Sequence, residues 1–269
     1  MELSSAGSRL RRRGVLGFFL STHCCSMTQF ELPPSPSEKP GRHSLVWLVA
    51  AAGLTVLLWQ LPWGNYILYP FTILATWFHE MGHGLTAVLL GGEFHRLEIY
   101  PDGSGLAIHS GELFLGRVGQ ALVAAAGPMG PPLAGALFIL ASRRHSTTRL
   151  GLVLLGSLLL LSTLLWVRSP FGLLFLLGMG LGILAVARWA SPWLRGFAAQ
   201  FLGVQACVST YHQLDYLFTA SAVINGQVIH SDSSQIAQNL FLPYWFWGGV
   251  MAVSSLVLLI TSLQLTFRD

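Results

Sequence analysis

Residues 66–90 read YILYPFTILATWFHEMGHGLTAVLL, an apolar run long enough to cross a bilayer, which takes about 20 residues. His79-Glu80-Met81-Gly82-His83 sits inside it, and Glu80 is its only acidic residue, with no lysine or arginine alongside. A carboxylate at that depth costs at least ~2.5 kcal/mol, so intramembrane acids face a protein interior or a wet cavity and serve a function. On a helix, residues four apart stack on one face, so His79 and His83 aim their imidazoles at a common point. Glu80 falls on the adjoining face, close enough to act on a water held there. This is the spacing of a zinc hydrolase: two imidazoles for the ion and a carboxylate as general base. The plainer alternative, two buried hydrogen-bonding histidines with Glu80 as a helix-packing ion partner, lacks the cation it needs within the segment.

Composition outside the run points to the same setting. The chain is 53% hydrophobic and 10% charged, with a mean hydropathy of +0.60, whereas a soluble domain is about a quarter charged. Apolar runs near 45–62, 66–90, 118–141, 150–167, 170–190, 197–220 and 243–265 predict an all-α polytopic membrane protein. The expected count is six or seven transmembrane helices, because the polar run at 197–220 reads equally as an interfacial or re-entrant segment. Such a chain belongs in a bilayer, and the cell membrane is the expected location. The net charge of +4 comes from basic residues scattered over loops and the N-terminus. No aromatic-basic interleaving accompanies them, so no nucleic-acid partner is expected. With the N-terminus inside and seven crossings, nine Lys/Arg fall inside and six outside, the latter including the Arg143/Arg144/Arg149 cluster that opposes this orientation.

Residues 1–43 form a basic tail with a Pro/Ser/Glu stretch, ELPPSPSEKPGRHS, expected to be disordered. Its short apolar patch lacks a small-x-small cleavage site, and Met27 offers an alternative start. Residues 44–269 read as a single membrane-embedded domain. Cys24, Cys25 and Cys207 make neither a disulfide framework nor a CxxC pattern.

Between the second and third runs, Leu97 and Ile99 alternate with Arg96, Glu98 and Tyr100, the period of a strand. Asp102-Gly103 supplies a turn, and residues 105–109 return, giving a small β-hairpin over 94–109 beside the histidine helix. An unpaired hairpin edge can hold an extended peptide by strand addition. The third run carries Ala126-Gly127-Pro128-Met129-Gly130-Pro131-Pro132. Two readings of this patch stand: unwound backbone lining water, or a kinked, closely packed helix.

A catalytic zinc takes three protein ligands and keeps one position open. Besides His79 and His83, two carboxylates qualify. Asp232, in HSDSSQIAQNL, stands where a loop meets a helix, and its ordinary role there would be an N-cap. Asp215, in TYHQLDYLF, lies in the polar segment with His212 on the same face. His95, His109 and His230 fall near the expected mouth and read as surface residues.

The HExxH helix, followed by Gly91-Gly92, the hairpin and the glycine-proline patch, resembles the site-2 protease family of intramembrane zinc metallopeptidases, in particular its compact B-type-like members. The resemblance covers roughly residues 66–242, with its specific motifs in three short patches. It implies Zn²⁺ as cofactor, His79 and His83 as metal ligands, Glu80 as the catalytic base, and a later aspartate at a helix start completing the metal set. The family at large presents that aspartate as Leu-Asp-Gly; here Ser231-Asp232-Ser233 is the nearest equivalent, which favours Asp232 over Asp215. The implied activity is zinc-dependent endopeptidase cleavage of membrane protein or peptide substrates in the lipid bilayer. A non-proteolytic zinc-binding scaffold or regulator is the first alternative. An ion transporter is the second, although neither an inverted repeat nor paired broken helices accompany it.

Overall fold

The computed structural model describes residues 42–224 and 226–268; most of the basic tail, Cys24, Cys25 and Met27 lie outside the described residues. The chain runs α1 (Arg42–Trp59), α2 (Gly64–Leu89), β1 (Glu93–Ile99), β2 (Gly105–Ser110), α3 (Arg117–Ala141), α4 (His145–Leu165), α5 (Pro170–Trp189), α6 (Pro192–His212), α7 (Leu214–Leu217), β3 (Ser221–Ile224), β4 (Gln227–His230), α8 (Asp232–Asn239) and α9 (Tyr244–Phe267). Among the described residues, α3, α4, α5 and α9 are long and apolar enough to cross a membrane. The sixth apolar run divides: α6 starts earlier than expected, at Pro192, whose fixed φ suits a first helical position. The Ser191 side chain caps it by accepting from Leu194 N at 3.3 Å. Residues beyond His212 turn away into α7.

Small residues set the helix spacing. A side-chain carbon at Gly82 would overlap the Ala126 carbonyl, one at Gly130 the Phe78 carbonyl, and one at Gly135 the Gly203 carbonyl. α3 therefore lies in close backbone contact with α2 on one side and α6 on the other, the arrangement small residues permit in membranes. The glycine-proline patch stays helical within the unbroken α3, so the unwound reading fails. The prolines remove N–H donors, but tight packing on two neighbours holds the helix together. Gly156 and Gly180 play the spacing role between α4 and α5.

Two helix pairs run in opposite directions. Gly82 meets Ala126 and Phe78 meets Gly130, so α2 and α3 are antiparallel; the Gly156–Leu184 and Gly180–Leu160 contacts make α4 and α5 so too. The turns that follow gather Arg143, Arg144, Arg149, Arg188, Arg195 and Arg268 at one end of the bundle. The β3–β4 hairpin, α7 and α8 occupy the other, and β1–β2 starts there and runs back along α2 toward Tyr69.

β1 and β2 pair antiparallel, with a bulge at His95. Leu97 and Ile99 are fully buried with Ile73, Trp77, Leu155, Leu159, Val167 and Leu176, which seals the hairpin onto α2, α4 and α5. Its turn is bound to α2 as well: Thr76 Oγ1 donates to the Gly103 carbonyl (2.6 Å) and Tyr69 Oη to that of Pro101 (2.7 Å). A second hairpin, β3–β4, turns at Gly226 with φ +76°.

Candidate metal centre

α2 brings His79 and His83 to one face one turn apart, with ring centroids 4.9 Å from each other. Asp232 arrives from the start of α8, and its carboxylate lies between the two imidazoles. His79 Nε2 is 3.0 Å from Oδ2, and His83 Nε2 is 3.3 Å from Oδ1. Donors bonded tetrahedrally to zinc at ~2.0–2.1 Å stand roughly 3.3 Å apart, so this set has the right types and nearly the right spacing. One atom from each of the three residues lies within 4.8 Å of the others. His79, Glu80 and Asp232 are buried. His83 is oriented from behind, its Nδ1 2.8 Å from the Val123 carbonyl of α3. That bond puts the proton on Nδ1 and leaves Nε2 as a lone-pair donor, the outer-shell arrangement usual for metal-ligating histidines.

α8 reaches this position through local hydrogen bonds that the sequence half discloses. Its N-cap is Ser231, whose hydroxyl accepts from Ser234 N at 3.2 Å. Asp232 is the first helical residue, and its carboxylate has no capping role. Ser231 Oγ also donates to the Thr219 carbonyl (2.5 Å) and Ser233 Oγ to that of Leu217 (2.7 Å), tying α8 to α7. Arg117, at the start of α3, donates to the Gln238 carbonyl at 2.7 Å and ties the far end of α8. Tyr216, on α7, donates its hydroxyl to Asp232 Oδ2 at 3.1 Å. Nothing in the order of residues singles out Tyr216 beyond its place next to Asp215. Asp215 itself is exposed and outside the cluster, and His212 packs on Trp59 with ring centroids 4.9 Å apart.

Glycines clear the space around the imidazoles. A side-chain carbon at Gly127 would overlap Nε2 of both His83 and His79, and one at Gly84 the Phe94 ring of β1. Glu80 points toward β2: a side-chain carbon at Gly105 would stand 2.8 Å from Glu80 Cγ and 3.0 Å from its Oε1. Ala107 faces Leu97 across the hairpin. Leu97 turns its own N–H and carbonyl outward, to Trp166 O (2.9 Å) and Arg168 N (3.0 Å). The α4–α5 connection thus covers the outer edge of β1, while the outer edge of β2 lies over Glu80. His95, His109 and His230 are exposed. Desolvation by neighbouring parts of the chain holds the His109 imidazole below its ordinary pKa, so it is mostly neutral at pH 7.

A bundle with membrane-spanning helices, carrying HExxH on one helix and a facing aspartate on another, defines a membrane metallopeptidase architecture. Residues 47–262 match the family model described as Peptidase M50B-like. The chain belongs to that family, in accord with its resemblance to the site-2 proteases. Comparison with curated proteins gave no match, and neither did comparison with solved structures.

Proposed function

We propose that this protein is a zinc-dependent intramembrane endopeptidase that cuts membrane protein or peptide substrates within a bundle of six or seven spans in the cell membrane. The observation that carries the reading is the approach of His79 Nε2, His83 Nε2 and the Asp232 carboxylate to one point beside Glu80. When bound, Zn²⁺ supplies Lewis-acid chemistry, polarising the scissile carbonyl and lowering the pKa of water toward ~7. His79, His83 and Asp232 hold the ion. The Val123 carbonyl fixes the tautomer and direction of His83. Glu80 takes a proton from the attacking water and passes it to the departing amine nitrogen.

A helical substrate hides its carbonyls in its own hydrogen bonds and must unwind to react. The outer edge of β2, where Gly105 and Ala107 turn main-chain groups away from β1, offers an extended segment a strand to pair with, directly over the general base.

The test is metal content and cleavage in detergent-purified protein. Glu80→Gln is expected to keep about one zinc per chain and to lose cleavage of single-span membrane proteins. A Glu80→Gln protein that cuts at the wild-type rate overturns the mechanism. Zinc is expected to disappear with His79→Ala and with Asp232→Ala, and to stay with Asp215→Ala. Stoichiometric zinc without turnover on any peptide would point instead to a non-proteolytic scaffold.

A further inference from the structure

Away from the metal centre, α3 and α4 diverge and leave a crevice of about 990 Å³ between them. Its walls are apolar, formed by Leu137 and Phe138 of α3 and Leu150, Leu154 and Leu158 of α4, with Phe78 of α2 as the floor. One end is different. There Arg143 and Arg144, in the α3–α4 turn, line the opening beside Thr147. Both arginines are exposed and form no ion pair among the described residues. The first turn of α4 begins at the same place, with no side chain capping its free N–H groups, which adds positive potential to that of the guanidiniums.

We infer that this crevice is a binding site for one anionic phospholipid, its phosphate held between Arg143 and Arg144 and an acyl chain lying between α3 and α4. Depth supports the assignment. From Thr147 to Leu158 the crevice follows α4 for eleven residues, roughly 16 Å at 1.5 Å per residue, close to half of a hydrocarbon core of ~30 Å. The apolar part is therefore one leaflet deep. The arginines also lie at headgroup level, since exposed Trp189 and Trp193 stand at the same end of the bundle, on either side of the α5–α6 turn. Tryptophan marks that level in membrane proteins. Basic pockets between spanning helices are where anionic headgroups bind.

A second crevice provides the contrast. It holds about 560 Å³ among α2, α4, α5 and α6, with Pro70, Phe71, Leu174, Met179 and Ile183 among its lining residues, and no charged residue lines it. An acyl chain of any lipid satisfies that one. Of these two crevices, the one between α3 and α4 pairs an apolar trough with unneutralised arginines, and it is the one that selects for headgroup charge.

The full-length protein, purified in neutral detergent, is titrated with phosphatidylglycerol or with phosphatidylcholine of the same acyl chains. Bound lipid is counted by native mass spectrometry. One phosphatidylglycerol per chain is expected, retained roughly tenfold better than phosphatidylcholine. The exposed double variant Arg143→Gln/Arg144→Gln should lose that preference. Gly151→Phe, which fills the trough from α4, should reduce retention of both lipids at this site. Arg188→Gln/Arg268→Gln removes the same charge from the same end of the bundle outside the crevice and should change nothing. Equal retention of the two lipids overturns the proposal, as does equal loss in the two arginine pairs, which would mean a diffuse basic surface. A dimer that carries no lipid also overturns it, since a second copy would then occupy the groove. Circular dichroism of each variant separates loss of binding from loss of fold, and the arginine pairs decide the matter if Gly151→Phe does not fold.

Discussion

At the head of α8, Ser231 does the capping and Asp232 does not. Had Asp232 been the N-cap, its oxygens would be committed to backbone N–H groups of its own helix. One position further in, they are free to face His79 and His83. The sequence left this open, because Ser-Asp-Ser offers three side chains able to cap and spacing cannot choose among them. Tyr216 was less legible still. Its hydroxyl meets Asp232 Oδ2 only because β3–β4 folds α8 back onto α7, a tertiary contact without a local signal. Partners behind a ligand usually contribute 10- to 100-fold in metal affinity. Tyr216→Phe is accordingly expected to bind zinc about tenfold more weakly while keeping its fold, as read by zinc titration against a competing chelator. Unchanged affinity would make the hydroxyl a spectator.

Helices at the apolar runs were readable, since hydrophobic length is set by the bilayer and survives any packing. The glycine-proline patch was readable only as an exception. Proline chemistry argued for a break as well as it argued for a kink. The deciding fact, backbone contact with α2 and α6 at once, belongs to the neighbours and not to the patch. α3 is thus a spacer whose thinness is its function: Gly127 leaves the imidazole nitrogens their room. Gly127→Ala should raise intrinsic helix propensity by about 1 kcal/mol and still abolish metal binding, because the added methyl overlaps both Nε2 atoms. The measurement is zinc content beside helical circular dichroism. A variant with full zinc would show that α3 can retreat. The hairpin was legible from its alternation. That the α4–α5 connection covers β1, so that β2 alone offers a free edge over Glu80, was not, since it depends on residues 70 positions downstream.

In the whole molecule, the His79–His83–Asp232 cluster joins α2 to the segment running from α7 to α8, which otherwise leans on α3 and α9. An ion held there acts as a clasp. A ligand present at a hundred times its dissociation constant stabilises the state that binds it by about 2.7 kcal/mol. Chelation should lower the melting temperature by about 5 °C or more, and hydrogen exchange should speed up in residues 213–240 before it does in α4 and α5. Uniform loosening of the bundle would count against the clasp. The same clasp has a consequence in time. His79 and Asp232 stand 153 positions apart in the chain (232 − 79), and synthesis adds roughly 5–20 residues per second. For roughly 8–30 s, then, the growing polypeptide displays His79, Glu80 and His83 without the carboxylate that faces them. On the mechanism proposed above, a chain whose synthesis stops within that interval is inert, so a protease of this design is born switched off and acquires its chemistry only near the end of its own translation.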